Sequence, residues 1–167
     1  MTTREELYDM FRERGFKRGA EIGVAYANNA VSMYERIPGL SLYLIDPWDG
    51  ENRSKKFYRT VRRRALQNLM PYRQRAKIMS TKSEYAALDV PERSLDFVYI
   101  DGDHRYDAVL LDIVLWHRRV RGGGIVSGHD YGLHPKLAGV KAAVDGYTKF
   151  HGIDLNVCET SWWWEVK

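Results

Sequence analysis

The sequence predicts an α/β protein: a doubly wound, Rossmann-like, mostly parallel sheet closed by an antiparallel C-terminal hairpin. Three observations predict it. Short apolar runs alternate with helical segments through the first 150 residues, the pattern of parallel β-α-β units with right-handed connections. The last two extended runs, 154–158 and 162–166, are too close in sequence for a crossover helix and must pair as a hairpin. The 167 residues, with no repeat, low-complexity stretch or linker, make one domain's worth of core, 1–167.

Each element has its own local reason. Thr3 and Glu6 have capping-box spacing ahead of an apolar stripe of Leu7, Met10 and Phe11, and Gly15 and Gly19 bracket the end of that helix. Residues 19–24 (GAEIGV) read as a buried strand. Asn28 or Asn29 can cap a second helix with Ala30, Met33, Tyr34 and Ile37 inward, stopped by Pro38-Gly39. Residues 40–46 (LSLYLID) make the second strand, and 51–69 a polar, basic helix. Then come a strand at 75–79, a short helix at 84–88, and, beyond Pro91, the strand 95–101 (LDFVYID). The spacing predicts a helix over 106–120 with Val109, Ile113, Trp116 and Val120 on one face. A glycine-led strand follows at 122–128, then a helix over 138–150 with Val140, Val144 and Tyr147 inward.

Composition narrows the function classes. Net charge is +4, with 44% hydrophobic and 29% charged residues, which is globular rather than disordered. One cysteine, Cys158, excludes an internal disulfide and a cysteine-based zinc cluster; it reads as a buried apolar residue. The longest uncharged stretch, 22–34, is too short for a membrane span, and the charged N-terminus does not read as a signal peptide. A cytoplasmic protein with no membrane partner is expected.

Ligands of open parallel sheets sit at the carboxyl ends of the strands, so chemistry is sought there. The first strand ends in Glu21, Gly23, Ala25 and Ala27, whose small residues let a ligand approach the backbone. Only the first glycine of a GxGxxG pattern is present, which weakens a dinucleotide-oxidoreductase reading. Asp46, at the end of the second strand, stands where an acid can accept both hydroxyls of a ribose, or can cap a turn. The fourth strand ends in Asp101, Asp103 and His104, and the fifth in His129 and Asp130. Carboxylates and imidazole converging there suit Mg²⁺ or Mn²⁺, or form a mutually hydrogen-bonded turn. His104 is the candidate base, since imidazole ordinarily titrates near ~6.5, or else a strand-end histidine bonded to a neighbouring acid. His117, His134 and His151 read as surface or packing residues.

The stretches GAEIGVAYANNAVSMYERIPGLSLYLIDPW, STKSEYAALDVPERSLDFVYIDGDHRYDAVLLDI and GGGIVSGHDY resemble the class I S-adenosylmethionine-dependent methyltransferases. The resemblance is greatest to the small group with EIG, YIDGDHxY and GHDY motifs, near the macrocin-type O-methyltransferases, and covers roughly residues 18–131. It implies a seven-stranded sheet and S-adenosyl-L-methionine as cofactor. Glu21, Gly23 and Ala25 would line the methionine end, Asp46 would bind the ribose, Pro47 and Trp48 would flank the adenine, and Thr81 to Ser83 would close its other side. Asp101, also counted in the cofactor site and as a catalytic residue with His104, would join His129 and Asp130 in holding a divalent metal. Ala25 and Ala27 replace common glycines, and His129 replaces a more usual acid. The implied reaction is O-methylation of a small hydroxylated acceptor. With little room for a lid, the site is either open or completed by a second subunit, so a homo-oligomer is an expectation.

Two features lie outside these motifs. Between residues 51 and 77 ten cations face a single acid, Glu51. They read as a solvated helix face, a site for an acidic acceptor, or a nucleic-acid surface, the last making an RNA-modifying or binding module the alternative function. The triplet Trp162-Trp163-Trp164 puts its outer pair on one sheet face and Trp163 on the other, for packing or for a subunit interface.

Overall fold

The computed structural model describes residues 3–50, 53–132, 134 and 137–167; Glu51, the acid expected to oppose the basic segment, lies outside them. Among the described residues seven strands form one sheet: β1 (Arg18–Ile22), β2 (Ser41–Ile45), β3 (Ala76–Met79), β4 (Leu95–Ile100), β5 (Val120–Gly128), β6 (Asn156–Cys158) and β7 (Ser161–Glu165). Their order is β3-β2-β1-β4-β5-β7-β6. The first five are parallel, and β7 enters antiparallel between β5 and β6. The predicted doubly wound sheet with its C-terminal hairpin is therefore the observed fold. Strand order reverses between β1 and β4, which opens a crevice at their carboxyl ends.

The helices are α1 (Arg4–Glu13), α2 (Asn28–Arg36), α3 (Lys55–Leu69), α4 (Ser83–Ala86), α5 (Tyr106–His117) and α6 (Ala138–His151). The two-residue period of β4 divides the core. Phe97 and Tyr99 face the layer of α1, α2 and α3, while Val98 and Ile100 face α4, α5 and α6. Phe11 of α1 stacks on Phe97 at 4.3 Å between ring centroids. Trp162 and Trp164 are buried on the α5–α6 side and stack at 5.2 Å, while Trp163 packs on the opposite face, as alternation requires.

Thr3 Oγ1 accepts the Glu6 amide at 3.3 Å, the predicted cap. The second helix differs. Its N-cap is Ala27 in a left-handed conformation with no side-chain bond, and Asn28 and Asn29 lie in the first turn. Asn29 is drawn away from capping by a buried partner described below. α5 ends at His117, and Val120 opens β5 instead of closing the helix. The backbone turns there because Arg93 and Leu95 take up hydrogen bonds with the carbonyls of Arg118 and Arg119.

Candidate active site

The strands end in register. Ile22 pairs with Ile45 and with Ile100, and Ile100 pairs with Gly128. The next residues along each strand, Gly23, Asp46, Asp101 and His129, therefore stand side by side along one rim of the sheet. Gly23 has φ +88°, and a Cβ there would overlap the carbonyl oxygen of Asp101. Glycine is required at that point for the two strand ends to meet.

Glu21 points inward two residues before the rim and is fully buried. Its Oε1 accepts from Asn29 Nδ2 at 2.9 Å, and Asn29 Oδ1 accepts from the Tyr8 hydroxyl. Its Oε2 has no partner. Burial raises its pKa to about 8, with the charges of Asp101 and Asp46 adding to the rise against the Asn29 bond. A buried carboxylate oxygen with nothing to bind is costly; a positively charged ligand group seated beside it would relieve that cost.

Asp46 is held by backbone. Its Oδ2 accepts from Ala25 N at 2.8 Å and its Oδ1 from Trp48 N at 2.7 Å. Burial nevertheless raises its pKa, the backbone bonds opposing the rise. Each oxygen keeps a second lone pair for a ligand hydroxyl. Trp48 is buried, and its Nε1 donates to the Ala25 carbonyl at 2.9 Å, so the loops after β1 and β2 are stitched together. Pro47 is exposed beside them. Thr81 and Ser83 follow β3, both half-buried. Ser83 Oγ accepts from Trp116 Nε1 at 2.7 Å. It also bonds Asp112, a buried acid of α5 whose pKa burial raises to about 6.

Asp101, His104 and Asp130 come together: each offers one ligand atom, and all three atoms lie within 4.8 Å of one another. His104 Nε2 is 2.8 Å from Asp130 Oδ2. Asp130 adopts φ +62°, turning its carboxylate back toward both histidines. His129 places Nδ1 at 3.0 Å from Asp130 Oδ1 and 4.0 Å from Asp101, and its Nε2 at 2.8 Å from Thr160 Oγ1. His104 thus completes the tight group, and His129 stands behind Asp130. Burial, then repulsion from Asp130, raises the Asp101 pKa to about 7, while burial lowers that of His129. Two carboxylate oxygens and an imidazole nitrogen form a donor set that fits Mg²⁺ or Mn²⁺.

Four contributors were not singled out from sequence. Asn29, read as a cap, joins Tyr8 to Glu21. Arg4 of α1 bonds Tyr99, and its charge reaches Asp101 and Glu21. Thr160 fixes His129, and Asp112 fixes Ser83. An asparagine one short loop beyond EIG was the only sequence signal for any of them. Of the basic segment, Arg75 is used in packing: it lies over Tyr34 and Tyr72 and donates to the Leu40 carbonyl at 3.1 Å. Lys77 lies over Tyr43. α3 keeps six cations and no acid. Its Tyr58 hydroxyl packs on Gly50, and its Asn68 donates to the Tyr26 carbonyl at 2.9 Å, so α3 braces both stitched loops.

The strand order and the acids at the strand ends define a doubly wound α/β fold with its switch point between β1 and β4. Residues 20–131 match the family model described as a methyltransferase domain. The chain belongs to that family and is an S-adenosylmethionine-dependent methyltransferase. Among solved structures it is similar to the O-methyltransferase TomG from Streptomyces achromogenes in complex with SAM, at 14% identity and a TM-score of 0.71. That match covers 98% of this chain and 79% of the other. It is also similar to an O-methyltransferase from Bacillus cereus in complex with SAH, at 12% identity and a TM-score of 0.72, covering 98% and 80%. No curated protein matches the chain. Among the described residues no helix is long and apolar enough to cross a membrane.

Proposed function

We propose that the chain methylates a hydroxyl oxygen of a small, anionic or sugar-like acceptor. The cofactor part of this reading rests on the orphaned Glu21 oxygen, buried two positions before Gly23, and the hydroxyl acceptor on the Asp101, His104 and Asp130 group beyond the strand ends. Glu21 and Asp101 would receive the ammonium of the cofactor's methionine end, and Gly23 and Ala25 would leave room for it. Asp46 would accept from the ribose hydroxyls with its remaining lone pairs. Pro47, Trp48, Thr81 and Ser83 would bound the adenine. The bound cofactor supplies an electrophilic methyl group on a sulfonium sulfur.

The protein's own tasks are alignment of the acceptor oxygen and removal of its proton. In the observed arrangement Asp130 accepts from His104 Nε2–H, which leaves Nδ1 as the proton acceptor. A divalent cation held by Asp101, His104 and Asp130 would take the place of that base, with a His104 nitrogen as ligand instead of proton acceptor, and would lower the pKa of a coordinated hydroxyl, with His129 bracing Asp130. Calorimetric titration with S-adenosylhomocysteine tests the cofactor site. Saturable binding that Asp46→Ala abolishes is expected, with a melting curve showing that the variant folds. No binding to the native chain overturns the function, and unchanged affinity in the folded variant overturns the ribose assignment. Mn²⁺ titration tests the ion: binding lost in Asp130→Asn is expected, and full activity in excess chelator would retire it.

A second reading rests on α3. Its six cations exceed the chain's whole net charge, and among the described residues no ion pair involves them. Because α3 braces the cofactor loops, a polyanion such as RNA bound there would reach the same crevice. RNA affinity falling steeply with salt, and lost in Arg59→Glu, would favour it; retention of free chain on a polyanion column only at low salt would reject it.

A further inference from the structure

The α4–α5–α6 layer exposes apolar side chains that the site does not use. α5 is hydrophobic around most of its circumference, although it lies at the molecular surface; such helices are ordinarily covered on both sides. Leu111 and Val114 of α5 are exposed, and so are Leu88 beyond α4 (74%) and Phe150 of α6 (86%). The outer stripe of α5, continued onto its C-cap, reads Asp107, Leu111, Val114, Arg118, with spacings of four, three and four residues, which are those of a helix-pairing seam.

That stripe is complementary to itself. The outer pair, Asp107 and Arg118, and the inner pair, Leu111 and Val114, are centred on the same point, between Asp112 and Ile113. Laid antiparallel on a second α5 about a two-fold axis at that point, Asp107 meets Arg118 of the partner helix and Leu111 meets its Val114. The charged ends lie about 16 Å apart along each helix, so both ion pairs form at once. In the single chain Arg118 contacts Glu92 at 2.8 Å, with both side chains more than half exposed. An exposed pair of that kind contributes little and is readily exchanged.

We propose that two copies of this chain associate through α5, antiparallel across a two-fold axis, with Leu111 and Val114 as the buried centre. The isologous arrangement uses one patch on both copies and closes on itself. The occupant is a second copy because an acid and a base placed symmetrically about an apolar centre are matched by the same helix reversed. An anionic partner would instead be drawn to the basic layer on the other side of the sheet. The inference is independent of the methyl-transfer reading, since its test measures mass and not nucleoside binding.

Sedimentation velocity over about 1–100 μM chain, spanning dissociation constants typical of modest interfaces, reads the outcome. The native chain is expected to dimerise. Leu111→Lys and Asp107→Arg should each weaken the dimer by about tenfold or more. Asp107→Arg combined with Arg118→Asp should restore it, because the swap re-forms both pairs. All these positions are exposed, and unchanged circular dichroism confirms that the variants fold. A native chain that remains monomeric throughout, a dimer indifferent to Leu111→Lys, or a double swap that fails to restore association would each overturn the proposal.

Discussion

Glu21 concentrates the site's electrostatics in one side chain. Its pKa, raised to about 8 by burial, means that the folded chain keeps a proton that the unfolded chain releases near pH 4.5. Stability therefore falls as pH rises between those values, by up to about 1.4 kcal/mol per pH unit from this group, and levels off above about 8. Glu21→Gln removes the effect and keeps an oxygen for Asn29. In thermal melts the variant should gain on the native chain from pH 5 to 8 and hold a constant lead beyond; parallel profiles would contradict the assignment. Ligand binding should run the other way. A cationic amine needs Glu21 and Asp101 ionised, so S-adenosylhomocysteine affinity should be higher at pH 8.5 than at 6.5, and Glu21→Gln should reduce that dependence in calorimetry to the part that Asp101 contributes.

Ala25 and Ala27 illustrate how magnitudes decide a substitution. Both have positive φ, 45° and 64°, where an L side chain costs roughly 1–2 kcal/mol. Ala25 is exposed, so Ala25→Gly relieves strain and loses only backbone entropy of about 0.5–1 kcal/mol. A net gain of up to about 1 kcal/mol in urea unfolding is expected. Ala27 is buried in the core, so its methyl contributes about 0.8 kcal/mol and Ala27→Gly should come out near neutral.

Among the elements, the loop after β4 depends on α6. A Cβ on Gly139 would overlap the backbone of His104 and Tyr106. Gly139→Ala should cost about 2–3 kcal/mol of stability and loosen Mn²⁺ binding, because His104 must move. Stability lost with metal affinity unchanged would uncouple the helix from the trio. At this scale the sequence was most legible where period and punctuation agree. β4 was visible as LDFVYID, and the hairpin followed from the short separation of its strands. The start of α2 was not legible, because nothing local says that Asn29 prefers a buried Glu21 to its own helix end. The limit of α5 was missed for a similar reason: Val120 continues the apolar face by spacing, yet it is claimed by pairing with Leu95.

For the whole molecule, the two helix layers differ in character. On one side of the sheet α3 is basic and braces the loops after β1 and β2; on the other, α5 exposes the apolar pair Leu111 and Val114. The rim itself could be read from sequence, since strands of a parallel sheet end together and Gly23, Asp46, Asp101 and His129 each follow one, with Glu21 two residues inside. How the rim groups partner could not be read. That His104, and not His129, completes the trio with Asp101 and Asp130 depends on the reversed backbone at Asp130 and on Thr160, which arrives from a turn thirty residues later.

In the proposed site the nucleoside spans the ends of β1 and β2 with its methionine end at Glu21. A crystal structure of the chain soaked with S-adenosylhomocysteine tests it most directly. Ribose hydroxyls are expected within hydrogen-bonding distance of Asp46, with the ammonium beside Glu21 Oε2 and Asp101. Density for the ligand elsewhere, with Glu21 Oε2 still unpartnered, would contradict it.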